Sequence, residues 1–256
     1  MKKYKIKKKR GFVILALLAL IIVAGCFFLL NLLLGNKGYD DQSSFEKYAK
    51  KYQDSFDGDR QVGKEKYSVK FGTPLSTAVS YPETDHKITS DTIKGLIDPK
   101  VESFELKYGN LPKEEQAALL IGYESYKTPH DAIGIAIHEK QVVNASKDNR
   151  KTPVDTVKAM NFSTKSGVSI PAGRILKGDW QKVVKEKLSG KVKDDSKLNK
   201  ADISNFVMTD KGLKFFFNAG EVADKKDGVQ SVEISYDDLK DFVRKDIGSR
   251  VIDPSK

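Results

Sequence analysis

"FVMTDKGLKFFFNAGEVA", residues 206–223, decides the fold. Two apolar stretches flank Asp210-Lys211-Gly212, a triplet whose glycine suits the tight reversal between antiparallel strands. The spacing predicts a β-hairpin. Its second arm holds Phe215, Phe216 and Phe217 in succession, and the side chains of a strand alternate between faces. Phe216 must therefore point away from its two neighbours, so both faces of this arm need cover. One face fills a core. The other meets a helix near Trp180, a neighbouring domain or a partner; in the last case Phe216 belongs to a ligand-binding patch rimmed by Asn218, Glu221 and Lys225.

The chain on either side continues the pattern. Residues 229–243, "VQSVEISYDDLKDFV", read as a strand and then a helix capped by Ser235 or Asp237, with Leu239, Phe242, Val243 and Ile247 as its buried stripe. Upstream, Asp179 caps a helix that places Trp180, Val183, Val184 and Leu188 on one face and ends at Gly190. Residues 155–173 form a hairpin through Lys165-Ser166-Gly167. Residues 117–127 and 132–143 form two strands around Thr128-Pro129-His130-Asp131, and Gly134 marks a bulge or a close backbone approach. Residues 67–72 and 75–83 are shorter strands, followed by a helix capped by Ser90 or Asp91 and interrupted at Pro99. Strands outnumber helices and are joined as hairpins. The fold class is α+β: antiparallel sheets with helices packed on one face.

The N-terminal part differs. Residues 12–34 are 23 consecutive uncharged, mostly apolar residues, which as a helix span about 35 Å, enough to cross a hydrocarbon core of about 30 Å. Seven Lys/Arg crowd the first ten residues, and positive flanks stay in the cytoplasm. The division expected is a basic cytoplasmic tail (1–11), a single transmembrane helix (12–34), a helical stalk and linker (35–66), a small α+β subdomain (67–150) and a second α+β domain (151–256). The stalk carries one thin aromatic stripe of Phe45, Tyr48, Tyr52 and Phe56, free to dock on the body instead. Val23-Ala24-Gly25-Cys26 has the form of a bacterial lipidation site, so lipid attachment to Cys26 with removal of the preceding residues is the alternative. Both readings place the body outside the membrane.

Charge is distributed to match. The chain has 45 basic and 35 acidic residues, a net +10, but the exported part keeps only 38 basic against 35 acidic. The alkaline balance reflects topology, and nucleic acid is not an expected partner. Cys26 is the only cysteine, which rules out a disulfide or a cysteine metal site in the body.

No catalytic constellation stands out. His86, His130 and His138 form no helical pair and lie in no Glu-flanked metal motif; His138 reads as a surface or edge histidine. There is no Gly-x-Ser-x-Gly elbow and no phosphate loop. Asp237-Asp238 suits the first turn of a helix better than paired acid–base work, and Asp194-Asp195 reads as a solvated loop. No metal, cofactor or enzymatic activity is expected.

Lys214-Phe215-Phe216-Phe217-Asn218, then Glu221-Val222-Ala223, Gly228 and Val232-Glu233-Ile234-Ser235-Tyr236, resemble the extracellular (RsiV-like) domain of the sigma-V anti-sigma factors. From about Tyr67 to Ile247 the arrangement is also similar to the non-catalytic N-terminal half of Gram-positive membrane-bound peptidoglycan deacetylases. The Asp-His-His set and Thr-Phe-Asp-Asp-Gly-Pro stretch of those enzymes are absent from these 256 residues, so deacetylase activity is not implied. The cytoplasmic part is too short for sigma binding, and in the anti-sigma family the extracellular domain is a lysozyme receptor. The resemblance implies a non-enzymatic module of the cell envelope, binding peptidoglycan, lysozyme or an envelope protein. The alternative is a wall-modifying enzyme or deacetylase accessory with an unrecognised site.

Overall fold

Alternating apolar residues build two sheets. The computed structural model describes residues 41–56, 58, 62–112, 115–144, 154–244 and 247, and residues 41–256 cluster as one compact unit. The basic tail, the 12–34 span and Cys26 lie outside the described residues. Within the described residues no helix is long and apolar enough to cross a membrane.

The first sheet has the order β1 (Lys64–Lys70), β2 (Leu75–Glu83), β3 (Gln116–Lys127), β4 (Ala132–Asn144) and β5 (Val154–Ser163). All its joints are antiparallel except β2–β3, which is parallel. A parallel joint needs a crossover, supplied here by helix α2 (Lys87–Tyr108). That helix starts at Lys87, earlier than the expected Ser90 or Asp91 cap, and runs through Pro99 without a break. Strand β5 lies within the stretch expected to begin a separate domain at residue 151, yet it is the fifth strand of the first sheet.

The second sheet is β6 (Phe206–Met208), β7 (Gly212–Phe217) and β8 (Gln230–Ser235), all antiparallel. It is the hairpin read at residues 206–217 with one strand added; Phe206 faces Phe215 and Met208 faces Leu213.

Four layers result. Ile93, Ile97, Phe104 and Tyr108 of α2 pack on Leu119, Ile121, Tyr123, Ile135 and Ile137. The opposite face of the first sheet meets helix α1 (Gln42–Asp54) and the second sheet. Phe216 and Val207 pack there on Ala136, Val157 and Ala159. On the far side of the second sheet, Phe206, Phe215 and Phe217 meet Trp180, Val184 and Leu188 of the helix Trp180–Leu188. The alternation of the Phe215–Phe217 run is thus resolved inside the protein, each buried ring contributing about 1.5–3 kcal/mol. The class is α+β and rich in antiparallel pairing, but helices occupy more than one face. The aromatic stripe of the expected stalk docks: Phe45 is fully buried, and Ala49 and Gln53 are buried beside it.

Two local expectations change. The last helix stops after Tyr236–Leu239, although Ser235 caps it as read, Oγ accepting the Asp238 N–H at 3.1 Å. Val243 instead bridges Leu176, and Leu239, Val243 and Ile247 remain buried in the same core. Asp194-Asp195 is not an open loop, because Asp194 accepts the Ser196 N–H at the head of a short helix, Asp195–Leu198.

Gly134 is a close approach and not a bulge. The β3–β4 register is continuous through Tyr126↔Gly134, and a Cβ there would lie 2.5 Å from the Met208 carbonyl oxygen. The two sheets touch backbone to backbone at this point.

Candidate functional site

The sheets meet over a buried polar cluster. In β7 the face that carries Phe216 also carries Lys214. Its ammonium reaches across to the first sheet and lies 2.8 Å from Glu124 Oε2 and 2.8 Å from the Tyr126 hydroxyl. Tyr126 in turn donates to Glu124. The other Glu124 oxygen, Oε1, is 2.8 Å from His138 Nε2. Burial pushes the Glu124 carboxyl up, but the His138 hydrogen bond and the Lys214 ammonium outweigh it and hold the group below the usual carboxylate range.

His138 is not at the surface. It sits in the middle of β4, buried, with Phe56 stacked on its ring at 4.1 Å and Phe216 edge-on at 5.8 Å. Phe56 reaches it because α1 lies directly over β3: a Cβ on Gly122 would come within 2.5 Å of Phe56 Cε2. The neighbouring Glu139 points to the other face, where Lys100 of α2 binds it.

Above this cluster opens a cleft of about 320 Å³, at the small end of the range of ligand pockets. The end of α1 supplies Tyr52 and Ser55, the first sheet Lys140 and Asp155, and the second sheet Ser231. Lys140 and Asp155 are cross-strand neighbours. Burial raises the Asp155 carboxyl above the usual range, against the opposing pull of Lys140, His138 and the Val229 N–H. The Tyr52 hydroxyl is buried and has no hydrogen-bond partner among the described residues. Burial first, and then the charge of Asp155, push it well above the usual phenol range. An orphaned buried hydroxyl costs about 1–3 kcal/mol, and such a cost at a cleft wall marks the place where a ligand or an ordered water completes the set. A larger groove of about 750 Å³ runs between α1 and β1, but Glu46, Lys47, Lys50 and Tyr67 along it are exposed.

The residues expected at a ligand surface separate here. Phe216 lines the cleft wall and is buried. Asn218 and Glu221 serve the edge of the first sheet: Asn218 Oδ1 accepts the Val157 N–H at 2.8 Å, and its amide and backbone nitrogens donate to Glu221 at 3.0 Å. Lys225 is exposed on a 3₁₀ turn outside the cleft lining. Asp237-Asp238 opens the last helix, and Asp238 pairs with Lys187 at 3.0 Å. His86 contacts the Thr164 carbonyl and His130 abuts Tyr236. Sequence reading missed Tyr52, Lys140 and Asp155 because they lie far apart in the chain. The signal that pointed toward them was the aromatic stripe of residues 45–56. Among the described residues no group of three or more His, Cys, Asp or Glu is placed to hold a metal ion.

Residues 174–237 match the model of a family described as "Protein of unknown function (DUF3298)". The matched stretch contains the second sheet and so the Lys214, Phe216 and Ser231 side of the cleft. Among solved structures the chain is similar to a DUF3298 family protein from Pseudomonas aeruginosa PAO1, with 10% identity, a TM-score of 0.50, and 72% of this chain and 94% of that one covered. It is also similar to a member of the family from Bacteroides fragilis NCTC 9343, with 14% identity, a TM-score of 0.43 and the same coverage. At 10% identity the first likeness shows the fold alone. No curated protein matches the chain.

Proposed function

We propose that this protein is a single-pass membrane protein whose extracytoplasmic body binds a cell-envelope ligand (peptidoglycan, lysozyme or an envelope protein) and performs no chemistry on it. The N-terminus is cytoplasmic and residues 12–34 are the anchor, as the uncharged run and its basic flank suggest. The observation that carries the binding reading is the cleft. The groups beneath it satisfy one another, as Glu124 does with Lys214, Tyr126 and His138, while the Tyr52 hydroxyl and the Lys140 ammonium face it without a hydrogen-bond or ion-pair partner among the described residues. That division suits recognition, in which the deep groups set shape and the upper ones contact the ligand. The extracellular-domain resemblance through Lys214–Tyr236 supports the same role.

The test is retention of the detergent-solubilised full chain on immobilised lysozyme and on peptidoglycan fragments, beside a Lys140→Met variant. Retention on either, weakened by the substitution, supports the reading. Retention on neither contradicts the lysozyme and peptidoglycan forms of it, and co-purification of a stoichiometric envelope protein is then required.

A second reading is a wall-modifying enzyme, and one geometry favours it. His138 and Glu124 stand at 2.8 Å as a base and its orienting carboxylate do. Release of acetate or sugar from wall material by the full chain, abolished in His138→Gln, would establish it. The stacking of Phe56 on the His138 ring works against such a role, because it covers the group that would have to meet substrate.

A further inference from the structure

One ammonium at the cleft makes no ion pair among the described residues. Glu124 is paired with Lys214, and Asp227, at the rim, pairs with Lys193 at 3.2 Å. Asp155 is the cross-strand neighbour of Lys140 but makes no ion pair with it. Lys140 is left as a cation with no carboxylate within ion-pair distance among the described residues, and its ammonium lies 6.0 Å from the centre of the Tyr52 ring. The hydroxyl of the same tyrosine is buried, a donor without an acceptor among the described residues.

We propose that the cleft is a carboxylate-binding site, in which the Lys140 ammonium and the Tyr52 hydroxyl hold the two oxygens of one ligand carboxylate and the Ser231 side of the cleft receives the polar remainder. This rests on the binding-module reading and names its ligand class. A single ammonium with a neutral donor suits a monoanion. A phosphate dianion would need more cationic or backbone N–H partners, and Asp155 and Asp227 would oppose its second charge. Charge-assisted contacts to a carboxylate place donor and oxygen about 2.7–2.9 Å apart. Gly228 keeps the rim open: its φ is +69°, and a Cβ there would lie 3.0 Å from Asp155 Oδ2. The carboxylate can belong to a sugar acid or to a peptide C-terminus, and the test separates them.

The full chain in detergent is titrated by calorimetry with N-acetylmuramic acid and with D-alanyl-D-alanine. Each is paired with a neutral twin, N-acetylglucosamine and D-alanyl-D-alaninamide. At least one acid is expected to bind ten-fold or more tightly than its twin, and Lys140→Met to remove that difference. Tyr52→Phe provides a readout that a purely structural tyrosine would not give. It is expected to raise the melting temperature of the unliganded protein, by deleting an orphaned hydroxyl, while weakening the acid about five-fold. Equal binding of acid and twin, or no binding of either acid by a chain still retained on peptidoglycan or lysozyme, overturns the carboxylate site and leaves the binding module standing. Loss of all these interactions overturns the carboxylate site together with the lysozyme and peptidoglycan forms of the binding module.

Discussion

The Lys214 ammonium of the second sheet lies 2.8 Å from the Glu124 carboxylate of the first, both side chains largely withdrawn from water. This ion pair, with Tyr126 and His138 attached, is one polar joint between two sheets that also meet through Ala136, Val157, Ala159, Val207 and Phe216, and through Asn161, whose side chain bonds the Phe206 carbonyl and the Met208 N–H. A buried pair adds little over an apolar pair of the same shape, but removing one partner strands the other. Lys214→Met is therefore expected to cost about 3–5 kcal/mol, measured by urea denaturation of the full chain in detergent. A loss below about 1 kcal/mol would mean that Glu124 finds another partner or water.

The same carboxyl sets a pH dependence. Its folded-state pKa is below the ordinary value, so its contribution is fully present above the unfolded carboxylate pKa and is lost as pH falls through the folded value. Glu124→Gln should consequently be less stable than the parent at neutral pH, with the gap closing on acidification. Asp155 has the opposite sign. Its pKa is raised, so ionisation above the unfolded value weakens the fold, and Asp155→Asn should gain stability at neutral pH relative to low pH. Thermal melts of both variants across the acid range check the two slopes together.

The contact at Gly134 predicts a steric penalty. A Cβ would meet Met208 O at 2.5 Å and Val207 Cβ at 2.7 Å, and neither is the free end of a flexible side chain. Gly134→Val should cost at least the 1–3 kcal/mol typical of overpacking. Gly95 in α2 is the internal control: nothing lies within 4 Å of its added Cβ, and Gly95→Ala should stabilise by about 0.5–1 kcal/mol. Parallel urea titrations give both values.

Asn205 does the work of a missing strand. Its side-chain amide accepts the Ala159 N–H at 2.8 Å and donates to the Val157 carbonyl at 3.1 Å, closing the outer edge of β5. Asn205→Ala strands both backbone groups, at about 1–3 kcal/mol each. Asn205→Asp keeps the acceptor and loses the donor. Hydrogen exchange at the Ala159 amide should accelerate strongly in the alanine variant and less in the aspartate one.

Much of the strand order was legible, because short-range signals govern it. Asp210-Lys211-Gly212 and Thr128–Asp131 mark the reversals they were read to mark. Period-2 alternation identified Phe216 as facing away from Phe215 and Phe217. What lay opposite Phe216 was not legible, since sheet-on-sheet contact leaves no trace in local periodicity. His138 shows the same limit: a histidine followed by Glu, Lys and Gln reads as an edge, and only Phe56, Glu124 and Phe216 arriving from distant segments bury it. The parallel β2–β3 joint escaped because the helix Lys87–Tyr108 was read as interrupted at Pro99. The last helix is shorter than its apolar spacing predicts, because that spacing also fits an irregular segment pinned to Leu176 by Val243.

The measurement that bears most directly on the account is labelling of a Ser231→Cys variant on intact, wall-stripped cells with a membrane-impermeant maleimide. Ser231 is exposed and lines the cleft, and the native chain has one cysteine, Cys26. Cells carrying the unsubstituted chain set the background. The account predicts rapid labelling without lysis, slowed by added peptidoglycan fragments or lysozyme. Labelling that appears only after the cells are broken open would contradict it, because the cleft would then face the cytoplasm.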